Sequence, residues 1–304
     1  MSNLTHRERI IKTWRGETTD RIARGEFFLA DEFVRAFLSL DVTVAVTHDQ
    51  RAAVIEQLDL DIAPVAFSEG WGASQQPDED RALESLVRWR AESDRFVLAV
   101  IDGPFSAAVK AAGFDALMQY VHKIPHIARD YYRQGAAEAV VMAQAVRDAG
   151  ADGVVLGEDL AYNRSTFFSP QQLRECYFPA LNQAVHDIHN LGLAVFFHSD
   201  GNLKSILDDI AASGVDGLQG LEPEGGMSIP GAREKIGDQL TLWGNLSFDF
   251  LSAARTSEEI EEVLRALTVK SKSKLIIGSC GGLVSGMNVE TVQRLYRAVG
   301  LVRF

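Results

Sequence analysis

The chain alternates between short apolar runs and longer segments in which apolar residues recur with the spacing of a helix. About eight short runs are predicted to be β-strands, at residues 26–30, 61–67, 96–102, 153–158, 194–198, 217–222, 241–244 and 275–279. Because a helical segment separates successive runs, the strands cannot pair as hairpins and are expected to lie parallel, joined by right-handed crossovers. Eight such units predict one closed (β/α)8 TIM barrel of the α/β class.

Capping signals mark several of the intervening helices. Ser169 before a proline and Thr256 before two glutamates each predict a helix start. Residues 105–150 are too long for one surface helix, and a break is expected near Pro125. Residues 41–72 have room for an additional helix or strand beside the second barrel strand.

The N-terminal segment is predicted to be a helical extension of the barrel. A helix is expected over residues 5–15, within an extension that covers residues 1–24. The pattern over residues 1–304 favours a single domain, since barrels of this kind routinely form one unit.

Composition excludes several classes of protein. With 46% hydrophobic and 24% charged residues the chain is expected to be soluble and globular, and a net charge of -12 disfavours nucleic acid as a partner. No run approaches the roughly 20 apolar residues of a membrane span, and the N-terminus lacks the apolar core of a signal peptide. Two cysteines are too few for a disulfide framework, so a cytoplasmic location is expected. The oligomeric state stays open, with a homodimer among the alternatives.

Polar side chains stand where most of the predicted strands end. In a TIM barrel this edge forms the active site. These residues are Asp102, Glu158 with Asp159 and Tyr162, His198 with Asp200, Glu222, Asn245 and Cys280. Any one of them could cap a helix or hold a turn, but the convergence of carboxylates, an imidazole and a thiol predicts an active site at this rim.

Four of these residues have the donor chemistry of a zinc site: His198, Asp200, Glu222 and Cys280. Zinc with one exchangeable position would bind a substrate thiol and lower its pKa. The alternative is a metal-free site, in which His198 is a hydrogen-bonded base, Asp200 caps the following helix and Cys280 is a small buried residue. Both interpretations stay open at this point.

Short motifs follow one another in order along almost the whole chain. They are Arg7-Glu8-Arg9, Asp20-Arg21-Ile22, Asp102-Gly103-Pro104, Gly157-Glu158-Asp159-Leu160-Ala161-Tyr162, Ser169-Pro170, His198-Ser199-Asp200-Gly201-Asn202, Leu221-Glu222-Pro223, Gly244-Asn245-Leu246 and Gly281-Gly282-Leu283. In order and spacing they resemble the uroporphyrinogen decarboxylase and corrinoid/coenzyme-M methyltransferase superfamily. Members of this superfamily catalyse different reactions, so the resemblance implies the fold more firmly than the activity.

The resemblance to the true decarboxylases is incomplete. Those enzymes use no cofactor, bind substrate carboxylates with an arginine-rich N-terminal loop, and have a His after the last strand. Residues 25–30 contain no such loop, and Gly281-Gly282 stands where that His is expected. An acidic rim would also repel a porphyrinogen with eight acidic side chains, so this activity is disfavoured.

The methyltransferase branch is more similar. Its zinc site uses a His-x-Cys pair after strand five, often a Glu after strand six, and a Cys after strand eight. His198, Glu222 and Cys280 match three of these positions, whereas Asp200 stands where the first Cys is expected. The resemblance therefore leaves open a zinc site with a harder ligand, a branch that has lost the metal, and a branch whose substrate is not a thiol.

The expected function is methyl transfer between a small-molecule substrate and a corrinoid on a separate partner protein that docks over the barrel mouth. Metal binding or substrate positioning is assigned to His198, Asp200, Glu222 and Cys280. Acid, base and orienting groups are assigned to Asp102, Glu158 and Tyr162, and substrate contacts to Asp159 and Asn245. The alternatives are a metal-free lyase or decarboxylase of a small carboxylic acid with His198 as proton donor, and a ligand-binding module without catalysis.

Overall fold

The computed structural model describes residues 4–269 and 273–301, and eight of its strands build one parallel sheet. Their bounds are β1 Ala23–Arg24, β2 Ile62–Ala66, β3 Phe96–Asp102, β4 Gly153–Gly157, β7 Ala194–Ser199, β8 Gly217–Gly220, β9 Thr241–Leu246 and β10 Leu275–Ser279. A separate antiparallel pair is formed by β5 Ala161–Tyr162 and β6 Ser165–Thr166. The order β1-β10-β9-β8-β7-β4-β3-β2, with every neighbouring pair parallel, confirms the predicted α/β TIM barrel.

Helices separate the strands and surround the sheet. They are α1 His6–Trp14, α2 Asp31–Leu38, α3 His48–Gln57, α4 Glu79–Glu92, α5 Pro104–Ala112, α6 Phe114–Lys123, α7 Pro125–Asp148, α8 Pro170–Cys176, α9 Phe178–Asn190, α10 Leu207–Ala212, α11 Ile229–Ile236, α12 Phe248–Ser252, α13 Ser257–Thr268 and α14 Val289–Val299. A short 3-10 helix spans Pro223–Gly225. Ser169 and Thr256 cap α8 and α13 through reciprocal side-chain and backbone hydrogen bonds, which confirms both predicted starts.

The segment between β3 and β4 contains one more helix break than predicted. The break at Pro125 is confirmed, because α6 ends at Lys123 and α7 begins at Pro125. A second break lies at Gly113, whose φ of +83° ends α5 and starts α6. Within the described part of the chain no helix is both long enough and apolar enough to span a membrane.

The barrel is nearly closed, and its seam lies between β1 and β2. The backbone N–H of Asp61 donates to the carbonyl of Arg24 at 2.8 Å across this seam. The prediction of the first strand at residues 26–30 was wrong, because β1 ends at Arg24. The apolar run after it is buried at the barrel mouth, where only Leu29 forms a single bridge, to Leu283. A short buried run has no periodicity that separates a strand from an internal loop.

Helix α1, within the segment predicted to be a helical extension, lies at the N-terminal end of the barrel. Trp14 at its end packs edge-on against Phe96 and Phe196, with ring centroids 5.5 and 6.4 Å apart. These two rings also contact each other and belong to the cluster that fills the barrel interior. The helix therefore closes the end of the barrel opposite the predicted active site.

Charged residues beneath α1 form a buried network around Asp61. Its Oδ1 accepts from Arg9 at 2.5 Å and from Arg21 at 2.9 Å, and its Oδ2 accepts from Arg21 at 2.7 Å and from the backbone of Arg24 at 2.9 Å. Asp61 is completely buried, so these donors replace the water that its charge has lost.

Candidate functional site

His198 lies near the C-terminal end of β7 and points into the barrel mouth. Its side chain is buried, with 7% of the residue exposed, and its ring lies against Phe27 with centroids 4.4 Å apart. The carbonyl of His198 also accepts from the backbone of Glu158 at 3.0 Å, which joins this strand end to that of β4. The imidazole is therefore held between the barrel interior and the rim.

Gln219 determines which nitrogen of His198 has the proton. The Nε2 of Gln219 donates to the carbonyls of Ser279 and Cys280, at 3.0 and 2.9 Å. Since both donors of this amide are engaged, its Oε1 is the group that faces Nδ1 of His198 and accepts from it. The free Nε2 of the neutral ring is then available to bind a metal or a proton.

Three possible ligands converge around this Nε2. Ligand atoms of Asp159, His198 and Asp200 all lie within 4.8 Å of one another. Oδ1 of Asp159 is 3.5 Å from the His198 Nε2, and the backbone of Asp200 donates to the same Asp159 oxygen at 3.4 Å. Asp159 has a φ of +48°, an uncommon conformation that directs its side chain toward this group. One imidazole nitrogen and two carboxylates form a possible divalent-metal site.

A cavity of about 310 Å³ lies beside the three ligands. It is lined by Asn163, Asp200, Glu222, Glu224, Phe248, Asp249, Cys280, Gly281, Gly282, Val284 and Met287. Asp200 thus belongs to both the ligand group and the cavity wall. Glu222 and Cys280, which the sequence assigns to the metal, line the cavity and lie outside the group of three ligands.

Burial and mutual repulsion raise the pKa values of two acids in this cavity. Burial raises the pKa of Asp200, and the charges of Asp159 and Glu224 raise it further, although His198 opposes them. Burial and the charge of Asp200 also raise the pKa of Glu222, while the hydrogen bond from the Gly201 backbone lowers it. The site therefore concentrates negative charge that its own hydrogen bonds compensate only in part.

Cys280 is buried beside the same acids. Burial raises the pKa of its thiol well above the usual value, and the charge of Asp200 adds to this, whereas a backbone hydrogen bond from Asn245 lowers it. A positive charge in the cavity would favour the thiolate, because it would offset the repulsion from Asp200.

Glu158 lies beneath the rim, with both carboxylate oxygens occupied. Oε2 accepts from the backbones of Phe105 and Ser106 at 2.8 and 3.2 Å, and Oε1 accepts from the Tyr177 hydroxyl at 2.6 Å. Burial raises its pKa to about 8 although these donors oppose the shift. Glu158 thus anchors the start of α5 and is not among the residues lining the cavity.

The structure places Asp102 and Tyr162 at other points of the rim. Asp102 forms an ion pair with Lys110 at 2.6 Å and accepts from Ser68 at 2.6 Å. Tyr162 lies in the β5–β6 hairpin, where it is 47% exposed and stacks on Phe167. Neither lines the cavity, although Asn163, next to Tyr162, does.

Asn245 connects loops around the cavity. Its side-chain amide donates to the carbonyls of Leu221 and Met227, and its own φ is +79°. Since Leu221 precedes Glu222, the contact positions the loop that supplies two of the cavity acids.

Sequence reasoning missed several residues of the site. Gln219 is the one polar side chain in β8 and pairs in register with His198, so an isolated glutamine in an apolar strand was the available signal. Glu26 is completely buried and accepts from the backbone and hydroxyl of Ser279 and from Tyr296, and burial raises its pKa to about 7. Glu224 lies in the short 3-10 helix Pro223–Gly225 and Asp249 in the first turn of α12, and no sequence pattern connects either with the rim.

Comparison with known proteins identifies the family of this chain. The sequence profile described as uroporphyrinogen decarboxylase (URO-D) matches residues 77–301. The methylcobamide:CoM methyltransferase MtaA of Methanosarcina barkeri (strain Fusaro / DSM 804) is 24% identical over 165 residues, covering 54% of this chain and 47% of that protein. The chain thus spans about half the length of the curated relative that it matches.

Solved structures share the whole fold. A methyltransferase from Methanosarcina mazei superimposes with a TM-score of 0.80 at 19% identity, over 97% of this chain and 98% of that one. A putative vitamin-B12 independent methionine synthase from Listeria monocytogenes gives a TM-score of 0.54 at 14% identity, over 92% and 94% of the two chains. At these identities the likeness concerns the fold.

Proposed function

The chain belongs to the uroporphyrinogen decarboxylase family, and we propose that it transfers a methyl group between a small substrate and a corrinoid on a separate protein. The observation that supports this is the group formed by Asp159, His198 and Asp200 beside the Cys280 cavity, in a chain similar to a methylcobamide:CoM methyltransferase. The partner would dock over the C-terminal rim, where the cavity opens.

The donor set fits a divalent metal ion. Since Nδ1 of His198 faces the Gln219 oxygen, Nε2 is the nitrogen available to a metal, and Oδ1 of Asp200 is buried without a hydrogen-bond partner among the described residues. Asp159, His198 and Asp200 would hold the ion, with Cys280 and Glu222 near enough to the site to adjust its charge. A bound ion would offset part of the acidic charge and help to orient the substrate.

The remaining residues of the rim position the substrate, support the strand ends or face the partner. Glu222 and Cys280 line its cavity, and Asn245 holds the loop after β8 in place. Glu158 and Asp102 support the strand ends through their contacts with α5, while Tyr162 lies on an exposed hairpin suited to contact the partner. Contact with the reacting atoms is thus made by Asp159, His198 and Asp200.

Anaerobic assay with methylcobalamin and small thiol and amine acceptors tests this function, with the cobalamin absorption spectrum as readout. Methyl loss should require the protein and should fall by at least about 100-fold in His198→Ala. Glu262→Gln, which changes an exposed residue of α13, should retain the activity. Absence of transfer together with release of CO2 from a small carboxylic acid would replace methyl transfer by the lyase reaction.

A further inference from the structure

The cavity beside His198 has an excess of acidic groups. Asp200, Glu222, Glu224 and Asp249 all line it, and its lining contains no Lys, Arg or His. Within residues 4–269 and 273–301 none of these four carboxylates forms an ion pair. A metal held by Asp159, His198 and Asp200 would leave the other three carboxylates without a countercharge in the protein, which favours a further cation in the cavity.

One wall of the cavity is aromatic. Phe248 is 47% exposed, and a Cβ added at Gly286 would lie 3.3 Å from its ring, so the ring is supported from one side. Met287 and Val284 add apolar surface. Carboxylates combined with an aromatic ring recognise quaternary ammonium groups, which are large, weakly hydrated cations. A bare metal ion gains nothing from the hydrocarbon side chain of Val284.

The size of the cavity also suits an organic ligand. Its volume of about 310 Å³ is roughly ten times the ~30 Å³ that one water occupies in the liquid, and lies at the lower end for small-molecule sites. Oδ1 of Asp200 is completely buried and lacks a hydrogen-bond partner among the described residues. An unpartnered carboxylate oxygen at the inner wall is a strong acceptor of positive charge.

We propose that the cavity binds a small organic cation with N-methyl groups, which is the methyl donor of the proposed function on which this inference rests. Methyl loss breaks a C–N bond whose electron pair stays on nitrogen, leaving a tertiary amine. The reduced corrinoid of the partner supplies the electron pair for the new bond to the methyl group.

Calorimetric titration with two matched probes tests this inference on the whole protein. Choline and 3,3-dimethyl-1-butanol have the same shape and differ by the charge on the central atom. Choline should bind at least about ten-fold more tightly than the alcohol, and this preference should decrease as NaCl is raised. Equal affinity for the two probes, or binding of neither, would overturn the proposal.

Two variants test whether choline binds in this cavity. Phe248→Leu should weaken choline by about 2- to 5-fold through loss of the cation–π contact and leave the alcohol unchanged. Glu222→Gln keeps an acceptor for the Gly201 backbone and should weaken choline by about 5-fold. Glu262→Gln removes an exposed charge elsewhere and should leave choline affinity unchanged; an equal loss in this control would show a nonspecific effect of net charge and refute the site.

The methyl-transfer assay distinguishes failure of the proposed function from failure of the cation site. Tight choline binding without methyl transfer from any donor would refute the proposed function and leave the cation site standing. Methyl transfer with acceptors or donors that are neutral, together with no choline preference, would refute the cation site alone.

Discussion

Asp61 and Asp200 are acids at opposite ends of the same barrel. Asp61, near the N-terminal end, is surrounded by arginine side chains and a backbone donor. Asp200, at the C-terminal rim, faces Asp159 and Glu224, and its Oδ1 has no partner among the described residues. In the first arrangement the donors compensate the buried charge, whereas the second leaves a buried carboxylate uncompensated until a ligand supplies positive charge.

The largest expected change in the free energy of unfolding comes from removing the charge of Asp61. Asp61→Asn would leave Arg9 and Arg21 buried without their countercharge and place an amide donor against them. We expect a loss of about 3–5 kcal/mol in the free energy of unfolding, measured in urea. Asp49→Asn, at an exposed ion pair with Arg88, should change it by less than about 0.5 kcal/mol. Similar losses in both variants would contradict the distinction between buried and exposed pairs.

A pH-dependent effect should follow from Glu158. Its folded pKa is raised from 4.5 to about 8, so the protonated form is favoured by folding. The stabilisation is complete below pH 4.5 and is lost as pH rises toward 8, on the order of 1.4 kcal/mol per unit between these limits. In Glu158→Gln this decline should be weaker in unfolding curves between pH 5 and 8. An unchanged decline would assign the pH dependence to Glu26 or another group.

Variants of Gln219 test metal binding by His198 at the rim. Gln219→Leu removes the acceptor for His198 Nδ1, so the ring is free to place its proton on Nε2. Affinity for Zn²⁺, measured by competition with a chelating dye, should fall by about 10- to 100-fold. Gln219→Glu keeps an acceptor at Nδ1 but loses the donor to the carbonyls of Ser279 and Cys280, so it should lower stability and still retain more of the Zn²⁺ affinity than the leucine variant. Equal losses of Zn²⁺ affinity in the two variants would show that the acceptor at Nδ1 does not control metal binding.

The smallest expected change in the free energy of unfolding concerns Asp200. Asp200→Asn removes a buried charge that Asp159 and Glu224 repel, and should raise the free energy of unfolding by about 0.5–1.5 kcal/mol while abolishing methyl transfer. The matched Asp249→Asn lies on the exposed side of the cavity and should change stability by less than about 0.5 kcal/mol. Destabilisation by Asp200→Asn would mean that this carboxylate is compensated in the folded state.

The pattern of the chain predicted the parallel sheet and most of its strands, because β2, β3 and β10 have uninterrupted apolar runs between helical segments. It failed at β1, where Phe27 and Leu29 are buried at the barrel mouth without forming a strand. Burial is visible in a sequence, but backbone pairing over such a short run is not.

The sequence predicted which kinds of residue form the candidate site better than it predicted how they are arranged. Strand ends indicated His198 and Asp200, because their positions follow from the barrel alone. Asp159 joins His198 and Asp200 only where the ends of β4 and β7 meet, and the position of the proton on His198 depends on Gln219 in β8. Neither is determined by local sequence, since both need the neighbouring strand in place.

The seam between β1 and β2 has a consequence for how the protein is made. Strand β1 is held mainly by β10, and Glu26, just after it, binds Ser279, 253 residues further along the chain. At roughly 5–20 residues per second a ribosome needs some tens of seconds to reach that partner. During this time Glu26 lacks its final hydrogen-bond partners, so β1 and the residue just after it can complete their packing only when the last barrel strand has been made.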